Sequence, residues 1–363
     1  MSAATVPPDF PAVAAAFPLT GPVVSAAPWG NGHINETYVA TVAAGAGARR
    51  YVFQKINDRI FKNVPALMEN IARVTAHVQA KQPRALALLA TRDEKFAHHD
   101  AAGNWWRVYP FIEGAHTVER VTTEAQAREA ARAFGEYQAL LVDLPGGRLN
   151  DTIPNFHHTR SRFETLRRAV NENTQGRAAG VRAEIDFAFA READTDVLLN
   201  FLARGELTER VTHNDTKINN VMLDDVTGRC AAVIDLDTVM PGLSLYDFGD
   251  MVRTAASSTT EDNPDPTQMH VVLPYFRALV EGYLESAGTV LNAIERAHLG
   301  FAGKLLAFET GLRFLTDHLQ GDVYFRIHRP GHTLDRARTQ FALVKSIEDN
   351  TEAMRRIVDE VTP

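Results

Sequence analysis

The amino-terminal third of the chain alternates between short β-prone stretches and turns. Residues 38–42 and 51–53 are rich in β-branched and aromatic side chains, and the glycine-containing segment 43–50 supplies a turn between them. This pattern predicts an antiparallel hairpin. A further β-prone stretch, 105–111, is predicted to stop near Pro110, because proline cannot donate a backbone hydrogen bond to a sheet.

Helical periodicity begins at about residue 64, with Pro65 suited to the first turn. Apolar side chains then recur at helical spacing, at Leu67, Met68, Ile71, Val74 and Val78. A second helix is predicted to run from the capping segment 122–124 to about residue 141. Residues 161–204 have a similar pattern, so the chain becomes mainly helical beyond its first third.

The order of these elements predicts an α/β (α+β) protein with two lobes. At 363 residues the chain is longer than a single hydrophobic core usually extends. We therefore predict a small amino-terminal lobe at 1–113, built on an antiparallel sheet, and a larger, mainly helical lobe at 114–363. The segment 111–115 would be the hinge between the two lobes.

Composition and charge narrow the classes of partner. The formal net charge is −7, which argues against a broad nucleic-acid surface. The single cysteine, Cys230, excludes an intrachain disulfide and a cysteine-based zinc site, and it favours a cytoplasmic location. The first residues lack the basic region of a secretory signal, and no apolar stretch is long enough to cross a bilayer, so we expect no membrane function.

The segment 213–220 has the spacing H-x-D-x-K-x-x-N of a kinase catalytic loop. Asp215 would accept the proton of an acceptor hydroxyl, and Lys217 would place positive charge near the transferred phosphate. Asn220 offers an amide oxygen to magnesium. Two short apolar strands then form a predicted hairpin, and Asp235 at its end would be the second magnesium ligand. The alternative is a polar loop whose Asp and Asn only turn the backbone.

Three further acidic residues follow this hairpin. Asp247 opens an Asp-Phe-Gly triplet like the metal-binding triplet of protein kinases, but it lies far beyond the hairpin, so Asp235 is the better metal ligand. We expect Asp247 and Asp250 to cap a helix or to brace the catalytic loop through its backbone. Asp237 either contacts a second metal ion or faces solvent.

A glycine-rich segment precedes the first long strand. Gly30, Gly32 and Asn35 are candidates for nucleotide binding, because glycines let backbone amides approach phosphate oxygens closely. An ordinary hairpin turn is the alternative for the same residues. His33 in this segment is a candidate for substrate binding.

Other nucleotide contacts are predicted further along the amino-terminal lobe. Alternation along the strand directs either Gln54 or Lys55 inward; we favour Lys55 as the phosphate-contacting lysine, with a solvated surface lysine as the alternative. Glu69 on the next helix could pair with it. Phe111 and Ile112 would lie at the hinge, where backbone groups meet adenine.

Several longer strings resemble a known family. The chain is similar to the superfamily of aminoglycoside phosphotransferases and choline kinases, and within it to N-acetylhexosamine 1-kinases. The pattern of Asp215, Asn220 and Asp235 is shared across the superfamily. The strings shared with the narrower group are 30–35, 54–57, 213–223, 234–242, 313–317 and 321–325.

The resemblance implies a bilobal protein-kinase-like fold and transfer of phosphate from ATP, with Mg²⁺, to the anomeric hydroxyl of N-acetylglucosamine or N-acetylgalactosamine. Asp215 would be the base. The sugar would be held by Glu36, Arg313 and Tyr324. Relatives usually have Asp at position 36, and the additional methylene of Glu could shift sugar selectivity.

Two other functions stay open at this stage. A kinase of the same superfamily could act on another small alcohol, such as choline, homoserine, methylthioribose or an aminoglycoside. The chain could also be a catalytically inactive module that binds a sugar or a nucleotide, although such a module would be expected to have lost Asp215 or Asp235. The expected partners are a small sugar and ATP, and a monomer is favoured.

Overall fold

The computed structural model describes residues 7, 9–30, 34–45 and 47–362. Its strands are β1 Val23–Pro28, β2 Glu36–Ala44, β3 Gly47–Ile56, β4 His98–His99, β5 Trp105–Pro110, β6 Ala115–His116, β7 Arg210–Thr212, β8 Val221–Asp224, β9 Cys230–Val233 and β10 Met240–Gly242. Its α-helices are α1 Phe10–Ala15, α2 Val64–Lys81, α3 Glu124–Leu141, α4 Thr159–Glu172, α5 Arg182–Phe189, α6 Val197–Ala203, α7 Ser244–Ala255, α8 Leu273–Ala287, α9 Ala293–Ala297, α10 Leu299–Gln320, α11 His332–Asp349 and α12 Thr351–Val361.

The chain folds into two compact units that do not follow a single cut in the sequence. Unit 1 contains the described residues up to His116, together with Asp143–Ile153 and Met222–Met240. Unit 2 contains Thr117–Val142, Pro154–Val221 and the described residues from Pro241 onward. Two later segments therefore join the amino-terminal sheet in unit 1, whereas the sequence predicted one boundary after residue 113.

A five-stranded antiparallel sheet organises unit 1, in the order β1-β2-β3-β5-β4. One face is buried under the short helix α1, where Phe10 packs against Tyr38, Phe53 and Trp106. The predicted hairpin of β2 and β3 is confirmed, but its strands extend further than expected. Ala44 pairs with Gly47, so the turn is shorter than the predicted segment 43–50.

Helix α2 has the predicted start and the predicted buried face. Asn63 caps it by accepting a hydrogen bond from the backbone of Ala66, and the five apolar positions named above are all buried. A smaller sheet of unit 1 has the order β6-β8-β9. Strands β8 and β9 are neighbours joined by a tight turn, in which Asp224 N–H donates to the carbonyl of Arg229 at 2.8 Å. The hairpin predicted to deliver Asp235 is therefore confirmed.

Unit 2 is built from packed helices, with the long helix α10 against α4, α7 and α11. Helix α3 begins after its capping residue Thr123, as predicted, and lies along α8. The two helices approach closely at Gly282, where a Cβ atom would come within 2.1 Å of the carbonyl oxygen of Arg128. The helical prediction for 161–204 is confirmed in type, but the segment breaks into α4, α5 and α6 with 3₁₀ turns between them.

The fold class predicted from the sequence is confirmed: the amino-terminal region is organised by an antiparallel sheet and the carboxy-terminal region is mainly helical. Among the described residues, no helix combines the length and the apolar character that crossing a membrane requires.

Candidate active site

A buried carboxylate holds the loop between β7 and β8. Asp247 accepts hydrogen bonds from the backbone N–H groups of His213, at 3.0 Å, and Asn214, at 2.7 Å. Gln138 donates to the same carboxylate at 2.6 Å, and the Thr216 hydroxyl donates to the backbone carbonyl of Asp247. The prediction that Asp247 braces the catalytic loop is therefore confirmed. Both carboxylate oxygens of Asp247 already accept hydrogen bonds from protein groups. This agrees with the choice of another residue as the metal ligand.

The braced loop presents three of the predicted functional side chains together. The Lys217 ammonium lies 3.0 Å from one carboxylate oxygen of Asp215, and the amide nitrogen of Asn220 lies 3.2 Å from the other. The same amide also donates to the Asp215 backbone carbonyl at 2.8 Å. The Asp215 side chain is 24% exposed, so a small acceptor can reach it. Burial disfavours the charged carboxylate, but Lys217 outweighs this and holds the pKa of Asp215 below its ordinary value.

The orientation of Asn220 suits a metal ion. Its amide nitrogen faces two oxygens of Asp215, which directs the amide oxygen away from them, and that oxygen has no hydrogen-bond partner among the described residues. These residues contain no cluster of three or more His, Cys, Asp or Glu side chains that could hold a metal ion. Magnesium does not require such a cluster, because it commonly binds one or two carboxylates together with the phosphates of its substrate.

His157 connects the catalytic loop to the core of unit 2. One ring nitrogen lies 2.8 Å from a carboxylate oxygen of Glu309, and the other lies 2.9 Å from the backbone carbonyl oxygen of Asn214. The second carboxylate oxygen of Glu309 accepts a hydrogen bond from Thr159 at 2.7 Å. Both ring nitrogens of His157 face acceptors, so both must carry a proton for each contact to be a hydrogen bond. His157 lies in the turn that precedes α4, but its side chain is only 7% exposed.

This contact gives a pH-dependent prediction. Burial lowers the pKa of His157, but the Glu309 carboxylate outweighs burial and raises it above its ordinary value of about 6.5. A raised folded-state pKa stabilises the protein fully below the ordinary value, and this contribution is lost as pH rises through the raised pKa. Asp250 also favours the charged ring, and the Tyr246 ring lies against it. We expect His157→Gln to destabilise the protein by about 1–3 kcal/mol at pH 6 and by less at alkaline pH.

Urea unfolding of the wild type and the variant between pH 6 and pH 9 measures this difference. His116 provides a matched control, because it also pairs with a carboxylate, Asp225, but is 55% exposed. His116→Gln is expected to leave stability unchanged. A destabilisation by His157→Gln that does not vary with pH would show that folding leaves the pKa of His157 unchanged, which contradicts the prediction.

A second group of unit 2 residues lies at the end of α10. The Arg313 guanidinium carbon is 6.0 Å from the ring centre of Tyr324, 5.7 Å from that of Phe156 and 5.4 Å from that of Phe325. The structure thus brings together Arg313 and Tyr324, the two late residues of the predicted sugar site. Phe156 was missed because no sequence pattern connects it with a segment so distant in the chain.

The loop that contains Tyr324 is shaped by a buried carboxylate. Asp317 accepts hydrogen bonds from the backbone N–H groups of three successive residues, 323–325, at 2.7–3.1 Å. Gly321, with φ of +106°, ends α10 in a conformation that suits glycine. The shared strings at 313–317 and 321–325 therefore contain residues that build the loop as well as residues on its surface.

In unit 1, the segment after β9 contains the predicted metal ligand Asp235 and a buried carboxylate, Asp237. Asp235 is exposed and has φ of +59°. Asp237 is buried and forms an ion pair with the equally buried Arg107, and it accepts a hydrogen bond from Asn35 at 2.5 Å. Asp237 therefore does not face solvent, which corrects one of the two alternatives. Arg107 was missed, although an arginine inside an apolar strand indicates that a buried partner is needed.

Pairing across the sheet shows which face each residue of β3 occupies. Gln54 lies opposite Arg107, and the Arg107 side chain donates to it at 2.9 Å. Lys55 lies opposite Trp106, which belongs to the core under α1. Because neighbouring residues of a strand point to opposite faces, Gln54 shares a face with Asp237, whereas Lys55 points to the other face. A phosphate contact by Lys55 stays a prediction.

The predicted ion pair between Lys55 and Glu69 is wrong. Lys55 instead pairs with Glu36, its neighbour across β2 and β3, at 3.2 Å. Glu36 also accepts a hydrogen bond from Tyr38 at 2.8 Å. A carboxylate oxygen of Glu69 instead accepts a hydrogen bond from the side-chain amide of Asn150 at 3.2 Å. The orientation of Lys55 is set by its contact with Glu36 on the neighbouring strand. The prediction failed because residue spacing along the chain does not show which residues pair across a sheet.

The remaining nucleotide candidates lie at two places in unit 1. Gly30 has φ of +75°, a conformation that favours glycine, whereas Gly32 and His33 lie outside the described residues. Both ends of the Asn35 side chain contact protein groups, since its oxygen accepts from the backbone of residue 57 at 3.0 Å and its nitrogen donates to Asp237 as described.

The predicted hinge residue Phe111 is attached to the sheet. Its backbone N–H donates to the carbonyl of Arg50 at 3.0 Å, and the Arg50 guanidinium lies 3.8 Å from the centre of its ring. The next residue, Ile112, has no backbone hydrogen bond to another described residue. Its N–H and C=O are therefore not used within the described protein.

Comparison with known proteins gives one family. Residues 25–291 match the sequence profile of the phosphotransferase enzyme family. An aminoglycoside phosphotransferase from Alicyclobacillus acidocaldarius has the same fold, with a TM-score of 0.65 and 13% identity over 99% of this chain and 98% of that one.

Two other solved structures also share the fold. A microcompartment-associated aminopropanol kinase has a TM-score of 0.56 and 15% identity over 91% of this chain and 93% of that one. Choline kinase from Cryptosporidium parvum has a TM-score of 0.54 and 13% identity over 93% of this chain and 92% of that one.

Proposed function

The chain belongs to the phosphotransferase enzyme family, and from this premise we propose that it phosphorylates the anomeric hydroxyl of N-acetylglucosamine or N-acetylgalactosamine with ATP and magnesium. The product would be the sugar 1-phosphate. The observation that supports the chemistry is the grouping of Asp215, Lys217 and Asn220 on one loop braced by Asp247. The shared strings of the sequence support the choice of sugar.

Asp215 is the proposed base. Its lowered pKa keeps it ionised at neutral pH, so it can accept the hydroxyl proton as the sugar oxygen bonds to the terminal phosphorus and the bond to ADP breaks. An anomeric hydroxyl is more acidic than other sugar hydroxyls, so a carboxylate with a low pKa can still serve as the acceptor. Lys217, already 3.0 Å from Asp215, would stabilise negative charge on the transferred group.

Asn220 and Asp235 are the proposed magnesium ligands. The free amide oxygen of Asn220 and the exposed carboxylate of Asp235 are hard oxygen donors of the kind that magnesium prefers. When bound, the ion neutralises phosphate charge and aligns the nucleotide. Asp237 has a supporting role, because its ion pair with Arg107 anchors the segment that begins at Asp235.

For the nucleotide, we retain Gly30, Gly32, Asn35 and Lys55 as proposed contacts on the phosphate side, and Glu69 is not retained because it does not pair with Lys55. Phe111 and Ile112 are the proposed contacts of adenine. Ile112 is supported by its unused backbone N–H and C=O, which match the donor and acceptor that an adenine edge requires.

For the sugar, Arg313 and Tyr324 are the proposed contacts in unit 2, with Glu36 and His33 as further candidates in the amino-terminal part of the chain. Tyr324 is 67% exposed and offers both an aromatic face and a hydroxyl to a ligand. Arg313 offers guanidinium donors that no described carboxylate occupies.

A panel of acceptors tests this proposal. The free N-acetylhexosamines are expected to be phosphorylated, whereas their methyl glycosides, blocked at the anomeric oxygen, are expected to be inert. Phosphorus NMR of the products shows which oxygen is modified. A 6-O-methyl sugar with a free anomeric hydroxyl is the control and should react. Equal reaction of the methyl glycosides would place the phosphate elsewhere, and no transfer to any acceptor would favour an inactive binding module.

A further inference from the structure

Two arginines of unit 2 lie near each other, and neither forms an ion pair with a carboxylate among the described residues. Arg162 on α4 donates one guanidinium N–H to the backbone carbonyl of Phe156 at 2.9 Å, while its buried Nε has no hydrogen-bond partner among the described residues. Arg313 on α10 lies over the Phe156 ring and forms no ion pair with a described residue. Both guanidinium groups therefore lie next to the same residue: Arg162 contacts the backbone carbonyl of Phe156, and Arg313 lies over its ring.

The charges around this arginine pair are not balanced. Glu309 is the carboxylate that acts on both arginines, but its two oxygens are already engaged by His157 and Thr159. Burial, and then the charge of Arg313, lower the pKa of Arg162. This local positive charge contrasts with the net charge of −7 of the whole chain. A ligand group with oxygen acceptors would relieve the imbalance, whereas a cation would increase it.

The aromatic rings add a second constraint. Sites for ammonium ligands place aromatic faces around the cation. Here the rings of Phe156, Tyr324 and Phe325 already surround the guanidinium of Arg313. An ammonium group would therefore have to compete with Arg313 for these faces and would meet Arg162 next to it.

We propose that Arg162 and Arg313 form a cationic subsite that selects acceptors with a neutral or anionic oxygen-bearing substituent and excludes acceptors with a protonated amine. This inference rests on the proposed function and specifies its acceptor class. The Arg162 guanidinium, whose donors no described carboxylate occupies, donates to an acceptor oxygen, such as the carbonyl of an acetamido group. Arg162 thus discriminates N-acetylated amino sugars from free amino sugars.

The test uses N-acetylglucosamine and glucosamine, which differ by an acetamido group in place of an ammonium group. Calorimetric binding titrations on the full chain, at a pH where the amine is protonated, give the ratio of the two dissociation constants without requiring turnover. We expect the wild type to favour the acetylated sugar, and Arg162→Gln to reduce that preference by about 10- to 100-fold. Arg313→Gln should reduce it in the same direction.

Arg168→Gln is the matched control, because Arg168 is an exposed arginine of the same helix. It is expected to leave the ratio unchanged, and melting temperatures of all variants verify folding. Equal binding of the two sugars by the wild type, an unchanged ratio in Arg162→Gln or no binding of the acetylated sugar overturns the inference. Failure of the proposed function is a separate result, namely absence of anomeric phosphate in the product despite the expected binding ratio.

Discussion

Replacing Asp215 by Asn is expected to lower kcat by about 10²- to 10⁴-fold, the usual contribution of a positioned general base. Asparagine has nearly the same shape, and its amide oxygen can still accept the hydrogen bond from Asn220. The backbone carbonyl of residue 215, which Asn220 also contacts, is unchanged. The substitution therefore removes proton acceptance and the attraction of Lys217 while leaving the braced loop in place. Initial rates at saturating sugar and ATP measure the effect.

Two controls distinguish loss of the base from loss of structure. Asp225→Asn removes an exposed carboxylate beyond strand β8 and is expected to retain full activity. Nucleotide binding by Asp215→Asn should stay close to that of the wild type, because Asp215 is proposed to contact the sugar hydroxyl. Substantial turnover by Asp215→Asn would show that another group accepts the proton.

Replacing Arg107 by Met is expected to destabilise the protein by about 3–5 kcal/mol, because the substitution leaves the buried carboxylate of Asp237 without its cation. The side chains of Arg107 and Asp237 are only 1% and 5% exposed, so water cannot replace the lost contact. Gln54 also loses the hydrogen bond that it receives from Arg107. The free energy of unfolding from urea titration measures this effect.

The double variant Arg107→Met/Asp237→Leu gives a sharper test. Replacing a buried ion pair by apolar side chains of similar size is often neutral, so the double variant should recover much of the stability lost by Arg107→Met alone. Lys95→Met is the control, since Lys95 pairs with Asp93 on the surface of the same unit, and it is expected to have no measurable effect. A single variant as stable as the wild type would contradict the role of Arg107.

Elements with a strong local pattern were predicted correctly. Helix α2 combines a capping residue, a proline in its first turn and a regular apolar face, and each of these features lies within one short segment. Strand ends and the breaks between α4, α5 and α6 were less accurate, because pairing across a sheet and packing between helices decide where such elements stop.

In the loop at 213–220, too, the local features were predicted correctly and the long-range contacts were decided by the fold. Asp215, Lys217 and Asn220 lie within six residues, so their spacing in the sequence already predicts that they meet, and the structure places them together. Position 247 was predicted to cap a helix or to brace this loop through its backbone. Only the fold shows that its carboxylate accepts backbone N–H groups directly.

The amino-acid sequence by itself determined the fold class, the family and the candidate catalytic loop, since hydrophobic periodicity and short motifs are properties of neighbouring residues. The tertiary structure alone decided that Arg107 neutralises Asp237, that His157 contacts the candidate catalytic loop, and that Arg162 lies beside Arg313 with no ion pair to a described carboxylate. These contacts join residues that are far apart in the chain. Burial determines their strength, because charges removed from water require partners that only the folded chain brings near.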